Sequence, residues 1–334
     1  MSSGTRHCES AAEQLAALYA PVREDLEQVE SILRGELHSE FPFVDRLVQH
    51  GFQLGGKRLR PALLLLTAQA CGAVRDEHRV LAAVMELVHT ATLIHDDVLD
   101  EALVRRHLET VNARWGNEAS VLLGDYLFAR AVCLAASLED TWVCRAIAET
   151  TRVVCEGELR QVGTRGHFDL PEAEYLDIVR AKTAELCACC CRLGARFAGA
   201  GEAVQDAVAR YGSHLGIAFQ IVDDVLDVRG KEAVVGKSLG TDLMKQKPTL
   251  PVIRLLNQAA VEERETLAEI LRGAENHKAE VLAPWFERYD AIAYSQQKAA
   301  LYVRRAAAEL EGLAPSPARD CLARLADFVI RRDQ

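Results

Sequence analysis

Apolar positions recur at helical spacing along most of the chain. The stretches 62–71, 78–95, 118–137, 142–160, 172–199 and 203–227 are rich in Ala, Leu, Val, Arg and Glu, with apolar residues three and four apart. The strict alternation that marks a β-strand is hard to find. Gly, Pro and short polar residues cluster at 55–61 (GGKRLRP), 71–77 (CGAVRDE), 163–171 (GTRGHFDLP), 228–240 (VRGKEAVVGKSLG) and 313–317 (LAPSP), where breaks are expected. The pattern predicts an all-α protein, a bundle of roughly ten or more helices and larger than a simple four-helix one. The segment AAEQLAALYAPVREDLEQVESIL reads as an exposed amphipathic helix or helix pair near the N-terminus, and YSQQKAALYVRRAAAELEGL as another near the C-terminus.

Composition narrows the class. The 334 residues are 49% hydrophobic and 26% charged, enough for one large core, and no shift in composition divides them, so one domain spanning 1–334 is expected. A net charge of −10 disfavours nonspecific binding to nucleic acid or to an anionic membrane and favours small-molecule partners. No run of eighteen apolar residues is free of charges, and MSSGTRHCES lacks the apolar run of a signal peptide; the expected location is cytoplasmic. Of ten cysteines, Cys187, Cys189, Cys190 and Cys191 crowd into CACCC. Such crowding suits small, weakly polar core residues of a helix. A redox or zinc role for the C-x-x-C from Cys187 to Cys190 would need a second ligand pair or a strand-to-helix context, and neither is visible.

The chemistry lies in a motif that occurs twice. HDDVLD supplies Asp96, Asp97 and Asp100, and VDDVLD supplies Asp223, Asp224 and Asp227. At about 100° per residue, the first and third aspartates are about 40° apart around a helix and the second about 60° further on, so each triad shares one face. One such triad is an ordinary solvated helix end. Two copies, each following an apolar stretch (VMELVHTATLI and GIAFQIV), are not. Three like charges at the edge of a core repel and raise one another's pKa unless cations compensate. Hard divalent ions suit this, Mg²⁺ especially, because it takes a few carboxylates and fills its remaining positions with water and phosphate oxygens. The expectation is two acidic walls holding Mg²⁺ and a diphosphate between them.

Basic residues to complete that site are present: Lys57, Arg58 and Arg60 after Gly-Gly, Arg105 and Arg106 past the first triad, Lys182 with Thr183, and Lys237, Lys245 and Lys247 in GKSLGTDLMKQKPTLP. Singly, each is as ordinary as a solvated surface charge. Together they suit two separate diphosphates, arginine as a bidentate donor and lysine as a point charge. His89, seven residues before Asp96, and Gln220, just before Asp223 and Asp224, lie close to the aspartate faces and can line the same cavity. A nucleotide-binding loop is disfavoured: GFQLGGKR has Arg58 where a Ser or Thr hydroxyl is required, and no strand precedes it.

These motifs, in order GGKRLRP, HTATLIHDDVLDEALVRR, GDYLFARA, EGE, KTAE, FQIVDDVLD and GKSLGTDLMKQKPTLP, resemble the trans-prenyltransferases, or polyprenyl diphosphate synthases, over roughly 50–255. The resemblance implies a helical fold around a deep cavity, normally a homodimer. It implies Mg²⁺ held by Asp96, Asp100 and Asp223 with support from Asp97, Asp224 and Asp227. By matching positions, Lys57, Arg60, His89 and Arg106 would bind isopentenyl diphosphate, and Arg105, Lys182, Thr183, Gln220, Lys237 and Lys247 the allylic diphosphate. One departure stands out: Gln246 occupies a position where the family usually has Gly.

The implied chemistry is ionisation of the allylic C–O bond, attack by the isopentenyl double bond, and proton loss to the released diphosphate. Product length would follow from the room beside the helix that ends at Asp96. Ala91 and Thr92 stand one turn before it, where a bulky aromatic closes the cavity in short-chain members, so the chain resembles the long-chain, octaprenyl-type branch. Phe128 and Leu127 are candidates for a deeper floor or for plain core packing. Short-chain synthesis, terpene cyclisation, and a non-catalytic role in a heteromeric synthase are the alternatives; complete D-D-x-x-D motifs and the isopentenyl-site cations weigh against the last two.

Overall fold

The structure, a computed structural model, describes residues 11–54, 56–229, 240–273 and 277–331. They are almost entirely helical. The first ten helices are α1 (Ala11–Leu18), α2 (Arg23–Glu36), α3 (Pro42–Gln53), α4 (Leu59–Cys71), α5 (Asp76–Leu99), α6 (Val111–Ala136), α7 (Thr141–Gly163), α8 (Glu172–Val179), α9 (Glu185–Phe197) and α10 (Glu202–Arg229). Further helices run over Thr241–Met244, Leu250–Gln258, Val261–Arg272, Lys278–Arg288, Ala291–Glu309 and Pro317–Arg331. The expected helical stretches recur with their ends moved by a few residues, the largest change being α6, which starts at Val111 and bends at Gly116 (φ 86°, ψ 167°).

The core is built on α4, α5, α9 and α10. Helix α4 is buried from Pro61 to Ala68, as expected of a helix apolar on all sides. Helix α9 lies between α4 and α10 at very short range. A Cβ on Gly194 would fall 2.4 Å from the Leu64 carbonyl, and one on Gly212 2.5 Å from the Cys187 carbonyl. The cysteine cluster belongs to this tight layer: Cys187, Cys189, Cys190 and Cys191 are buried free thiols. Burial pushes Cys189 up to about 11 and Cys190 well above its ordinary value, so these thiols fill space and stay protonated.

Two expectations change. Neither terminal segment is an exposed appendage: Leu15, Leu18, Val22, Val29 and Leu33 are buried, with α2 against α4 and α5 and α1 against Pro317–Arg331, and the helix Ala291–Glu309 buries Ala299, Tyr302, Val303 and Ala306 with α10 packed along it. Their apolar stripes need that cover. The second change is an antiparallel hairpin of β1 (Val104–Arg105) and β2 (Leu108–Glu109) between α5 and α6. Its two turn residues, Arg106 (φ 52°) and His107 (φ 65°), are both left-handed, the geometry that matches strand twist in a two-residue hairpin.

Helix α6 differs from its neighbours. Among the described residues it alone is long and apolar enough to cross a membrane by length and composition, with a window of mean hydropathy 1.5, yet only 33% of that window is buried. Val121, Leu122 and Val132 on it are exposed. Beyond α10 a second apolar cluster forms around Leu243, Leu255, Leu267, Leu282 and Phe286. There the buried Lys278 ammonium donates to the carbonyls of Leu271 (2.7 Å) and Leu243 (3.3 Å), which anchors the short helix Thr241–Met244 beside the end of α10.

Candidate active site

The first aspartate triad lies at the C-terminal end of α5, where the helix macrodipole adds negative potential. Each of its carboxylates has a basic partner from another segment. Lys182 Nζ is 3.6 Å from Asp96 Oδ2. The Arg105 guanidinium, carried by the hairpin, donates to buried Asp97 from Nε (2.9 Å) and Nη2 (2.8 Å). Asp100 takes Lys247 Nζ on Oδ2 (2.9 Å) and Arg165 Nη2 on Oδ1 (3.1 Å).

Burial raises Asp96 to about 6, with Lys182 opposing it. Burial also raises Asp97, against the Arg105 bond. At Asp100 burial again pushes upward, but Lys247 and Arg165 outweigh it and the net direction is down. The upward direction expected of the triad thus holds at two positions, with burial as its main cause, and is reversed at the third.

The second triad, at the end of α10, is held differently. Buried Asp224 accepts from the Tyr175 hydroxyl (2.6 Å) and from Gln220 Nε2 (2.9 Å), and Gln220 Oε1 accepts from the Thr183 hydroxyl (2.9 Å). Buried Asp227 accepts the backbone N–H of Asp242 (3.0 Å). Asp223 is half-buried. Burial and then repulsion from Asp242 push Asp224 up to about 7. Lys247 links Asp100 of the first triad to Asp242 (3.2 Å to Oδ1), whose backbone N–H is in turn bound to Asp227 of the second. Burial opposes its charge, but Asp242 and Asp100 prevail and hold it protonated.

The sequence explains how Lys182 arrives there. Residues Arg180–Ala184 form a π-helical turn between α8 and α9, an element frequent at functional sites. Gly157 of the EGE motif lets α7 cross against that turn: a Cβ there would fall 2.6 Å from the Lys182 backbone nitrogen. Lys182 then pairs with Glu158 and donates to Gln161 Oε1 (2.8 Å). Gln161, Tyr175, Lys182, Gln220, Asp224 and Lys247 border a cavity of about 60 Å³.

On the other side lies a basic group. His89 is half-buried on α5, and burial followed by the Arg60 and Arg106 charges holds it well below its ordinary pKa. Arg106 donates to the Leu54 carbonyl (2.8 Å), and its guanidinium occupies the space a side chain on Gly56 would fill. Arg60 Nε is buried without a hydrogen-bond partner among the described residues, as a donor awaiting an anion would be, and so is Thr249 Oγ1, which lines the cavity beside Lys247 and Asp224. Lys57 is exposed at the same helix start. Arg58, between them, is spent internally: it binds Glu30 (2.5 Å) and buried Glu86 (2.8 Å) and lies over Phe52. Lys237 lies outside the described residues. Ala91 is buried on α5, Thr92 is half-buried with its hydroxyl on the His89 carbonyl (2.7 Å), and Phe128 on α6 packs against the core, as does Leu127.

Among the described residues no three carboxylate, imidazole or thiol side chains form a closed metal cage. Cationic side chains lie against the first triad. The donor set still fits a hard divalent ion that shares carboxylates with diphosphate oxygens. Residues not singled out from the sequence also belong here, namely Asp242, Tyr175, Glu158, Gln161 and Arg165.

Residues 42–288 match the polyprenyl synthetase family model. The chain belongs to the polyprenyl synthetase family. It is thus a prenyltransferase, in line with the resemblance read from its motifs. It is 37% identical over 322 residues to component 2 of the heptaprenyl diphosphate synthase of Geobacillus stearothermophilus, covering 96% of this chain and 99% of that one. It is 36% identical over 292 residues to a short chain isoprenyl diphosphate synthase of Methanothermobacter thermautotrophicus, covering 86% and 90%. Among solved structures, a Caulobacter crescentus polyprenyl synthase complexed with calcium and isoprenyl diphosphate superposes with a TM-score of 0.92 at 33% identity, covering 99% of this chain and 100% of that one. The family's helical fold and the fold described above are the same.

Proposed function

We propose that the chain is a Mg²⁺-dependent all-trans-polyprenyl diphosphate synthase that condenses isopentenyl diphosphate with an allylic diphosphate to give a medium- or long-chain product. The observation that carries this reading is the pair of aspartate triads ending two buried helices, with diphosphate-matching cations between and beside them. The solved relative bound to calcium and isoprenyl diphosphate supports the same ligand chemistry.

Asp96, Asp100 and Asp223 would hold the metal, with Asp97, Asp224 and Asp227 behind them. Bound there, Mg²⁺ would neutralise charge growing on the departing diphosphate. Arg105, Lys182 and Lys247 meet the allylic diphosphate oxygens, helped by Thr183, Gln220 and Lys237, and favour C–O ionisation by stabilising the leaving anion. Lys57, Arg60, His89 and Arg106 hold the second diphosphate, and neutral His89 is a hydrogen-bond donor there. Apolar walls exclude water from the carbocation. The released diphosphate takes the proton.

Relatives named for long and for short products match at nearly equal identity, so overall similarity does not choose between them. Ala91 and Thr92, small where short-chain members carry a bulky aromatic, support the longer product. Incubation with farnesyl diphosphate, labelled isopentenyl diphosphate and Mg²⁺ is expected to yield products beyond C20. Products stopping at C15 or C20 would refute the chain length, and no condensation at all would refute the function. Ala91→Phe is expected to shorten the product with condensation retained, read by chromatography of the dephosphorylated alcohols.

The exposed apolar face of α6 supports a homodimer. One further reading has an observation behind it: a relative bears the name of one component of its synthase. Activity of the chain expressed alone separates a self-sufficient enzyme from one that needs a companion. Water-borne substrates and the net negative charge support a cytoplasmic site, with the lipid product passed to a membrane.

A further inference from the structure

Among the described residues Asp100 is the first-triad aspartate with a separate cation on each oxygen, Lys247 on Oδ2 and Arg165 on Oδ1. Lys247 belongs to a recognised motif. Arg165 lies in the connection between α7 and α8, where no role has been attached to any side chain. Its position is nevertheless built. The Gly166 N–H donates to the Gln246 carbonyl (2.8 Å), so Arg165 and Lys247 flank one backbone hydrogen bond. Gly166 (φ 76°) and Gln246 (φ 53°) are both left-handed at that junction, and Gln246 Nε2 reaches the Arg272 carbonyl (3.3 Å). Gln246 thus keeps the turn that a glycine would adopt freely and adds an anchor.

The two cations differ in what they keep if Asp100 is taken. Lys247 retains Asp242 at 3.2 Å. Among the described residues Arg165 pairs with Asp100 alone, and its Nε is buried without a hydrogen-bond partner. A guanidinium left beside a newly bound divalent ion is repelled, and its planar donor fork matches phosphate oxygens.

We propose that Arg165 is a diphosphate-binding residue that exchanges partners: it neutralises Asp100 before a divalent ion binds and turns to the allylic diphosphate once the ion takes that carboxylate. This rests on the functional reading above. It assigns Arg165 a competing role toward the metal and a supporting role toward the substrate, two effects of opposite sign that a merely structural residue does not produce.

The test compares wild type, Arg165→Gln and Arg165→Lys. Mn²⁺ binding to substrate-free protein is measured by electron paramagnetic resonance, and KM by steady-state kinetics. Arg165→Gln is expected to bind Mn²⁺ about fivefold more tightly, and to raise KM for farnesyl diphosphate about tenfold with KM for isopentenyl diphosphate unchanged. Arg165→Lys keeps the charge but not the fork, so Mn²⁺ binding stays near wild type while KM for farnesyl diphosphate rises. Unchanged or weaker Mn²⁺ binding in Arg165→Gln overturns the exchange, as does an equal rise in both KM values. If Arg165→Gln does not fold, Arg165→Lys decides: an unchanged KM for farnesyl diphosphate overturns the proposal, and a selective rise supports it. A wild type that binds Mn²⁺ but condenses nothing refutes the enzyme reading instead, and the Mn²⁺ comparison still decides the competition at Asp100.

Discussion

The two aspartate triads have the same spacing and the same place at the end of a buried helix, yet they are stabilised by different means. Around Asp96, Asp97 and Asp100 the partners are Lys182, Arg105, Lys247 and Arg165, drawn from four separate segments. Around Asp224 and Asp227 they include a tyrosine hydroxyl, a glutamine amide and a backbone N–H. Charge answers charge in the first triad; neutral donors answer it at Asp224 in the second. Where two cations meet one carboxylate, as at Asp100, they outweigh burial and hold it below its ordinary pKa, whereas one cation each leaves Asp96 and Asp97 raised. At Asp224 burial and repulsion from Asp242 outweigh the neutral donors and push it up to about 7.

The largest expected contrast comes from truncation. Asp100→Ala and Asp224→Ala are both expected to lower kcat by about 10³-fold or more, because each removes a carboxylate from the proposed metal site. Their stabilities should diverge. Asp100→Ala strands Arg165 and leaves Lys247 with Asp242 alone, a loss of about 2–3 kcal/mol, below the full cost of breaking a buried ion pair. Asp224→Ala removes a poorly tolerated charge while freeing two neutral donors, so at pH 8 stability is expected within about 1 kcal/mol of wild type. Urea unfolding of the metal-free proteins measures both. Equal losses would erase the distinction between the triads.

Much of this was legible in the sequence because it was repetitive or periodic. The helices followed from apolar spacing, and the paired triads from identical local order. What escaped were contacts whose partners lie far apart in the chain. Arg165 meets Asp100 across 65 positions and Lys247 meets it across 147, and nothing in the local run GTRGHFDLP marks an arginine as a carboxylate partner. Tyr175 stands among ordinary helix residues until the fold brings Asp224 to its hydroxyl. Asp242 was inside a quoted motif but is a single carboxylate with no periodic companion. The hairpin escaped because its turn is Arg106-His107 where Asn-Gly would have announced it.

Tyr175 provides a sharper probe of the second triad, smaller in effect than loss of an aspartate. Tyr175→Phe removes the 2.6 Å bond to Asp224 and nothing from the first triad. Loss of one hydrogen bond to a charged group is expected to reduce kcat/KM about tenfold. Because the hydroxyl favours the ionised form, the acid limb of the pH profile should also move to higher pH. An unshifted limb would mean that Asp224 does not depend on its neutral donors.

The smallest expected effect is on metal-free stability against pH, and it arises from both triads. Asp96 near 6 and Asp224 near 7 in the folded protein lie above the ordinary aspartate value of 3.8. Between about pH 4 and 7 the native state therefore binds more protons than the unfolded chain, so stability falls as pH rises through that window and gains as pH falls. Asp96→Asn removes one of these charges while Lys182 keeps Glu158. It should raise the metal-free melting temperature at pH 8 by about 2–4 °C, and by less at pH 5, where the wild-type carboxyl is already largely protonated. A gain equal at both pH values would point to packing, and would remove the electrostatic cost that the first triad is argued to carry before its cation binds.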